Sequence, residues 1–595
     1  MGLRVALVTP FAWSQPHEVN EHVAGVAHAL RALGHEVTVL APSNNAAALR
    51  AGRKALGAGG AGAGAPGGAA AWPAGGVVAL GPAIPVSRRS SLGVPVGMRA
   101  ALQLALSLGR FDVVHGVEPG LPSLSYVALR DADALCVATF LSADRLGYPP
   151  GRAQREKLLA RVDALVATSP EVADAAAARF AGDYRLVSPG VDAELFRPPA
   201  GPRPRRIVAE WLPGERPSAR AVLRALDGLP GWELVVLRTQ ALAGRPTVPA
   251  ALRGRVAVRT ALDGPSRAPL LADASIFVPA PGGSPRLLLE AAASGLAIAA
   301  APGAAESPLA AASLEHLAAN DALRERVGRD ARAGAESQGF AAVAEELDAL
   351  YRSLAGRRRA AAGRRGHSDP LADREWIACD LHMHTSWSHD CGTKVADLLA
   401  HAGSQGLGAI AVTDHNVFGG AKEAVALAKD GPLFVIPGEE IKTDGQGEVI
   451  GLFLEREIPR GMSFSDTIAA IKEQGGLVYV PHPFDRLHAI PDPATLHRHL
   501  ADIDVFEVYN ARLLFEAYND EALRFARKYN LTMGAGSDAH VLQGVGTGAL
   551  RMRAFRDPEE FLVSLRTAEV LRRPKSLVYL QSLKWVAQAK EKVRS

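Results

Sequence analysis

The chain has 595 residues, of which 48% are apolar and 22% charged, with a net charge of +4. That length exceeds one hydrophobic core and divides into about three domains at roughly 100–200 residues each. The near-neutral balance excludes general nucleic-acid affinity and leaves nucleic acid only as a substrate. Three cysteines (Cys136, Cys379 and Cys391), with no Cys-x-x-Cys spacing, exclude a disulfide framework and fit a reducing, cytoplasmic location. No uncharged apolar run reaches the ~18 residues of a membrane span.

Leu3 to Thr9 predicts a buried first strand, Glu18 to Leu33 a helix and Glu36 to Leu40 a second strand. Strand, helix, strand at this spacing is a βαβ unit with a parallel sheet. Val113–His115, Ala134–Ala138 and Ala164–Ala167 continue it, giving a first α/β domain over 1–195. Its Ala/Gly-rich stretch, 45–76, reads as a disordered surface insertion. A second α/β series, with strands at Arg206–Val208, Glu233–Leu237 and Ile276–Val278, covers 196–354. The Arg/Ala/Gly tract over 355–375, including Arg357, Arg358 and Arg359, reads as a solvated linker. A third domain follows over 376–575, and a C-terminal helix is expected over 576–595.

The third domain carries the clearest chemistry. Asp380-Leu381-His382-Met383-His384 and Ser537-Asp538-Ala539-His540 each place two metal-ligand side chains at i and i+2. In an extended strand such positions share one face, so each motif aims two ligands into one cleft. Thr413-Asp414-His415-Asn416, Gly438-Glu439-Glu440 and Pro481-His482-Pro483 each close a further apolar run. Seven apolar runs end near His384, His415, Glu440, Phe453, His482, Asn510 and Asp538, mostly separated by helical patterns. Chemistry at the strand C-termini describes a (β/α) barrel, distorted because it has seven strands rather than eight. Five clusters of His, Asp and Glu converging there describe a multinuclear metal site.

These motifs, in this order, resemble the PHP (polymerase and histidinol phosphatase) family over roughly Trp376 to Arg573. The resemblance implies a distorted (β/α)7 barrel that holds two or three divalent ions and hydrolyses phosphoesters. Carried over by position, the implied ligands are His382, His384, Asp390, His415, Glu440, His482, Asp538 and His540. Where many members have a histidine in the next strand, this chain has Glu448, either a replacement ligand or the mark of a weaker position. Mixed imidazole and carboxylate donors suit Zn, Mn or Fe better than Mg, which remains the alternative. Arg486 and Arg512, just after strand-end motifs, are candidates to hold a phosphate, against the alternative of surface ion pairs. His488 is a candidate general acid, and His389 lies beside Asp390.

Residues 1–354 resemble family-4 glycosyltransferases of GT-B architecture, of the phosphatidylinositol mannosyltransferase type. The resemblance rests on Val5–Pro10, Val19-Asn20-Glu21-His22-Val23, Leu33–Pro42, Glu118-Pro119, Pro189-Gly190-Val191-Asp192 and Leu289-Glu290-Ala291. It implies two Rossmann-like domains with a nucleotide-sugar between them. Yet His17 and Glu18 replace the family's two glycines, and Leu141 replaces its histidine. Glu210 stands near its basic pair, and Gly282 replaces the first acid of its Glu-x7-Glu motif. Four losses imply a transferase fold without its reaction, in which His17, Glu18 and Glu210 exclude a diphosphate. The expected function is therefore hydrolysis of a small-molecule or nucleotide phosphoester, nucleotide-phosphatase or exonuclease-like. A bifunctional enzyme and a non-enzymatic scaffold are the alternatives, and the sequence fixes no oligomeric state.

Overall fold

Apolar runs without alternation, such as those of Arg4–Val8, Val113–Val117 and Leu135–Phe140, are buried on both faces. That is the pattern of parallel strands covered by helices on each side. They are set out in a computed structural model that describes residues 2–61, 76–85, 93–94, 97–212, 216–239, 246–300, 312–359 and 370–573. The chain forms two compact units, Met1–Ala355 and Gly356–Ser595.

The first unit contains two parallel sheets. The first lobe is built on β1 (Arg4–Val8), β2 (Glu36–Ala41), β3 (Val77–Ala79), β4 (Val113–Val117), β5 (Leu135–Phe140), β6 (Ala164–Ala167) and β7 (Tyr184–Leu186). Their order is β3-β2-β1-β4-β5-β6-β7, all parallel. The second lobe has β8 (Arg206–Glu210), β9 (Glu233–Arg238), β10 (Val256–Thr260), β11 (Ile276–Val278) and β12 (Ala297–Ile298). These lie in the order β10-β9-β8-β11-β12, again parallel. Both orders reverse beside their first strand, so each sheet opens a crevice at its strand C-termini.

Three expectations for these regions need correction. Ala46–Ala61 is a helix, not an irregular insertion. Alanine is the strongest helix former, and the Asn45 side chain caps the first turn by accepting from the amides of Ala47 and Ala48. Leu56 anchors that helix in the first lobe's core; residues 62–75 lie outside the described residues. The helix Phe340–Ala355 does not stay with the second lobe but returns to pack on the first-lobe helix Glu18–Ala32. Two buried contacts fix it there: Asp348 with His35 at 2.8 Å and the Tyr351 hydroxyl with His115 at 2.6 Å. Finally, Arg358 and Arg359 are not a solvated linker. They dock on the second unit, Arg358 donating to the Lys528 carbonyl at 2.8 Å and the Arg359 amide to the Tyr529 carbonyl at 3.0 Å. The expected C-terminal helix over 576–595 lies outside the described residues, as does 360–369 of the linker.

The second unit is a seven-stranded barrel of β13 (Trp376–Asp380), β14 (Leu407–Val412), β15 (Phe434–Lys442), β16 (Glu448–Leu452), β17 (Leu477–Val480), β18 (Val505–Asn510) and β19 (Met533–Gly536). Cys379, Leu381, Ala409, Ile436, Ile450 and Tyr479 fill its interior. The first and last strands close through backbone bonds from Leu381 N to Ala535 O (3.3 Å), Asp538 N to His382 O (2.7 Å) and His384 N to Ala539 O (3.0 Å). A ribbon of β20 (Gly548–Arg553) and β21 (Glu569–Arg572) pairs antiparallel with the outer part of β13. The barrel is distorted as expected, and the distortion lies at β16, which runs antiparallel to both neighbours. A tight hairpin, not a helix, joins it to β15. The reversal puts the first residue of β16, Glu448, at the barrel end where its neighbours finish. Among the described residues no helix is long and apolar enough to cross a membrane.

Candidate metal centre

The open end of the barrel gathers the polar ends of five strands around one carboxylate. Glu440 Oε2 lies 3.2 Å from His382 Nε2, 3.5 Å from His384 Nε2 and 3.1 Å from His415 Nδ1. Its other oxygen is 3.1 Å from His482 Nε2. Asp538 Oδ1 is 3.4 Å from both His384 Nε2 and His540 Nδ1. Asp390 closes the far side, 2.8 Å from His540 Nε2 and 4.0 Å from His415 Nε2. All eight expected ligands are thus brought together. Glu448 joins them, 3.9 Å from His415 and 3.8 Å from His482. Glu439, adjacent in the chain, instead accepts from the Ile458 amide.

Local backbone geometry aims these groups. Asp538 has φ 50° and His482 φ 27°, positive values that non-glycine residues rarely adopt and that cost about 1–3 kcal/mol each. Asp380 ties two ligand loops together: its carboxylate accepts from the amides of His382, Ser537 and Gly546. Asp414 does the same within the first loop, accepting from the Thr385 amide and hydroxyl and from Ser388.

The charges of this cluster are mutually dependent. Burial opposes a charge on His382, yet Glu440, Asp538 and Glu507 hold its pKa well above the usual histidine value. Burial likewise opposes ionisation of Glu440, but His382 and His415 hold it well below the carboxylate range. Burial and His540 push His384 well below, so this imidazole stays neutral. Its Nε2 is buried and makes no hydrogen bond. A neutral buried imidazole nitrogen facing two carboxylate oxygens at 3.4–3.5 Å is a donor set that fits a divalent cation.

Of the outer residues, Arg512 enters the cluster, with Nη1 3.1 Å from Asp538 and 3.3 Å from His540 Nε2. Arg486 is half exposed and faces Glu521 at 3.6 Å. His488 is exposed at its edge, but its Nδ1 is held by the buried Asp485 at 2.7 Å and its ring lies 6.3 Å from that of His482. The His389 ring lies beside His415, tilted by 50° with centroids 5.7 Å apart. The sequence reading missed Glu507. This buried carboxylate accepts from the Tyr479 hydroxyl (2.7 Å), the His482 amide (2.6 Å) and Asn510 (3.1 Å), and meets His382 Nδ1 at 3.2 Å. A carboxylate inside the apolar strand Val505-Phe506-Glu507-Val508-Tyr509 was its available signal.

The crevice between the two lobes of the first unit is lined by acidic and basic groups that mostly pair with each other. Arg267 donates to both oxygens of Glu290, at 2.6 and 2.7 Å, and to Glu21 at 2.7 Å. Arg286 meets Glu290 at 3.0 Å and Glu21 at 3.4 Å. Glu21 also accepts from the Gly264 amide, and Glu18 from the Ser284 hydroxyl, each at the start of a second-lobe helix. Arg145 bridges Glu18, at 2.5 Å, and Glu118, at 3.4 Å. Glu210 is not the bare repulsive charge expected from the sequence. Its carboxylate caps the Ser284 and Ala280 amides, and burial raises its pKa to about 7. His17 stacks on Phe11 and accepts from the Val19 amide; burial and Arg145 lower its pKa to about 3.

Comparison with known proteins follows this division. The PHP domain model matches residues 380–522 and the PHP-associated model residues 516–570. The Glycosyltransferase Family 4 model matches residues 19–195. The chain carries a PHP domain behind a family-4 glycosyltransferase domain. An uncharacterized protein of Methanocaldococcus jannaschii is 37% identical over 158 residues, 24% of this chain and 66% of the relative. A phosphatidyl-myo-inositol mannosyltransferase of Propionibacterium freudenreichii is 29% identical over 238 residues, 39% of this chain and 56% of that enzyme. The chain thus spans less than two thirds of each. A solved putative metal-dependent phosphoesterase of Bifidobacterium adolescentis is 18% identical, with TM-score 0.23, covering 27% of this chain and 87% of that one.

Two expected results follow from the geometry. In the PHP domain, Glu507→Gln should weaken metal binding about 10–100-fold, because the carboxylate orients His382 and the His482 amide. Metal titration of the purified variant checks this, and unchanged affinity would remove Glu507 from the site. In the glycosyltransferase-like domain, burial raises the Glu118 pKa to about 8, from an ordinary 4.5. The folded form keeps a proton that the unfolded chain releases between those values, so stability falls as pH rises through that window. Buried His22 and His115, lowered to about 4 and 3 by burial, act oppositely and only below about pH 6.5. The melting temperature of this unit should therefore fall between about pH 6.5 and 8. Glu118→Gln should flatten the slope, and an unchanged slope would exclude Glu118 as its source.

Proposed function

We propose that the second unit hydrolyses a phosphomonoester or phosphodiester, nucleotide-phosphatase or exonuclease-like, with two or three divalent ions of the Zn, Mn or Fe class. The observation that carries this reading is the Glu440 carboxylate set among His382, His384, His415 and His482. His382, His384, His415, His482 and His540, with Asp390, Glu440 and Asp538, would hold the ions. Bound there, they supply Lewis acidity toward a phosphoryl oxygen and lower the pKa of a water toward ~7.

The chain's own residues do the rest. Arg512 donates one N–H to Asp538 and has others left to orient a phosphoryl oxygen. Asp485 fixes the His488 imidazole through Nδ1, which leaves Nε2 to hand a proton to the leaving oxygen. Glu507 and Asp380 keep the ligand loops in register. His384→Ala and Asp538→Ala should each abolish hydrolysis across a panel of phosphoesters while the first unit stays folded. Hydrolysis retained in both would overturn the assignment.

For the first unit we infer that glycosyl transfer is lost. Glu18, Glu21 and Glu210 occupy the helix-start amides and arginines that a diphosphate would need. Incubation of the full chain with common nucleotide-sugars should release or transfer no sugar, and measurable turnover would instead make the enzyme bifunctional.

A further inference from the structure

The reversed strand β16 creates a metal position unlike its neighbours. In the β15–β16 hairpin, Glu440 is opposite Ile450 and Lys442 opposite Glu448. Side chains two apart share a face, so Glu448 lies on the side of Ile450 and Leu452, which face the barrel interior. Its carboxylate is mostly buried and meets His415 Nδ1 at 3.9 Å and His482 Nε2 at 3.8 Å. Both distances exceed a hydrogen bond. They match two donor atoms that each sit ~2.1 Å from one ion, which are then roughly 3–4 Å apart. Glu440 reaches these imidazoles with different oxygens, Oε2 to His415 and Oε1 to His482, each at 3.1 Å, so on the His415 side two carboxylates converge on one imidazole while His482 groups with His382.

Four groups of three donors converge among the described residues. His384 with His415 and His540 is all imidazole. His382 with His384 and Asp538, and His382 with Glu440 and His482, each contain two imidazoles. His415 with Glu440 and Glu448 alone has more carboxylate than imidazole. Carboxylate oxygens favour Mn and Mg, whereas imidazoles favour Zn and Fe. Two mostly buried carboxylates on one side also need a cation more than the all-imidazole group does.

We propose that Glu448, with Glu440 and His415, forms an oxygen-rich cation position that takes Mn2+ or Mg2+, beside imidazole-rich positions that take Zn2+ or Fe2+. This rests on the hydrolase reading above, and it makes the centre a mixed-metal one. The harder ion is held more loosely and exchanges first, because the harder position has fewer imidazoles.

The test uses the full chain loaded with Zn2+ and titrated with Mn2+, read by elemental analysis and by the Mn2+ electron paramagnetic resonance signal. The wild type should hold Zn2+ and take up one additional Mn2+ per chain. Glu448→Gln should lower Mn2+ affinity at least tenfold with Zn2+ content unchanged, and that retained Zn2+ shows the site is still folded. Glu448→His should exchange the Mn2+ for further Zn2+. Unchanged Mn2+ affinity in Glu448→Gln, or an unaltered metal ratio in Glu448→His, overturns this inference alone. A wild type that binds neither metal overturns it together with the hydrolase reading.

Discussion

Glu440→Gln should lower phosphoester hydrolysis by at least about three orders of magnitude, a loss in the same range as that expected from His384→Ala or Asp538→Ala. Among the described residues its carboxylate is the one group within 3.5 Å of four histidines. Gln keeps the shape but removes the charge that balances them. An amide has one acceptor oxygen and no charge, so it cannot serve ions on both sides. The loss of several kcal/mol of metal-centred stabilisation corresponds to about 10³ or more in rate at 1.36 kcal/mol per tenfold. The measurement is kcat at saturating metal alongside bound metal per chain. The barrel should still fold, because the interior around Ile436, Ile450 and Tyr479 is untouched. A variant with near-normal kcat and full metal content would show that Glu440 is not the hub of the centre.

Arg267→Ala should destabilise the first unit by about 3–5 kcal/mol, the usual result of removing one partner from a buried ion pair. Arg267 is almost fully buried and donates to Glu290 and to Glu21. Its loss leaves Glu290, also buried, with only Arg286, and leaves Glu21 with Arg286 and one helix-start amide. Because Glu21 belongs to the first lobe and Arg267 to the second, the lobes also lose a clasp. The first melting transition should fall by roughly 5–10 °C, whereas hydrolysis at 25 °C should be unchanged, since the PHP domain has its own core. The double variant with Glu290→Gln should recover part of the loss, because one unpaired charge is then removed. A melting temperature within a degree of wild type would show that the crevice charges are solvated rather than interlocked.

Much of the candidate metal centre was legible because its ligands recur at i and i+2 beside the strand ends. His382 and His384, and likewise Asp538 and His540, follow β13 and β19, and the barrel closes through those same segments, with Asp538 turning left-handed at φ 50°. What remained hidden was direction. An apolar run such as Val449-Ile450-Gly451-Leu452 reads identically in either sense, so the reversal of β16 could not be seen. With it went the reason Glu448 faces the site from the start of a strand rather than its end. Residues that act through others were hidden for a related cause. Glu507 carries no motif beyond its place in an apolar strand, and only the fold brings it to His382, 125 positions away, whereas Asp485 reaches His488 within one turn of chain.

In the glycosyltransferase-like domain the substituted positions were legible but their physical effect was not. His17, Glu18 and Glu210 read as groups that repel a phosphate. In the structure they have partners instead: Glu18 holds Arg145 and Ser284, and Glu210 caps two amides. Such pairing needs residues more than 60 positions apart, beyond the reach of local pattern. The Ala-rich stretch Ala46–Ala61 was misjudged for the opposite reason, since its composition suited both a disordered segment and a helix, and the Asn45 cap with Leu56 in the core selected the helix.

The central proposal is that ions held by the eight ligands do phosphoester chemistry. The direct measurement is hydrolysis of an aryl phosphoester by the full chain, first stripped by a chelator and then given back divalent metal in measured equivalents. Activity should vanish on stripping and return only as at least two ions per chain are bound. Hydrolysis that survives complete metal removal, or that stays absent at full metal occupancy across a panel of mono- and diesters, would contradict the account.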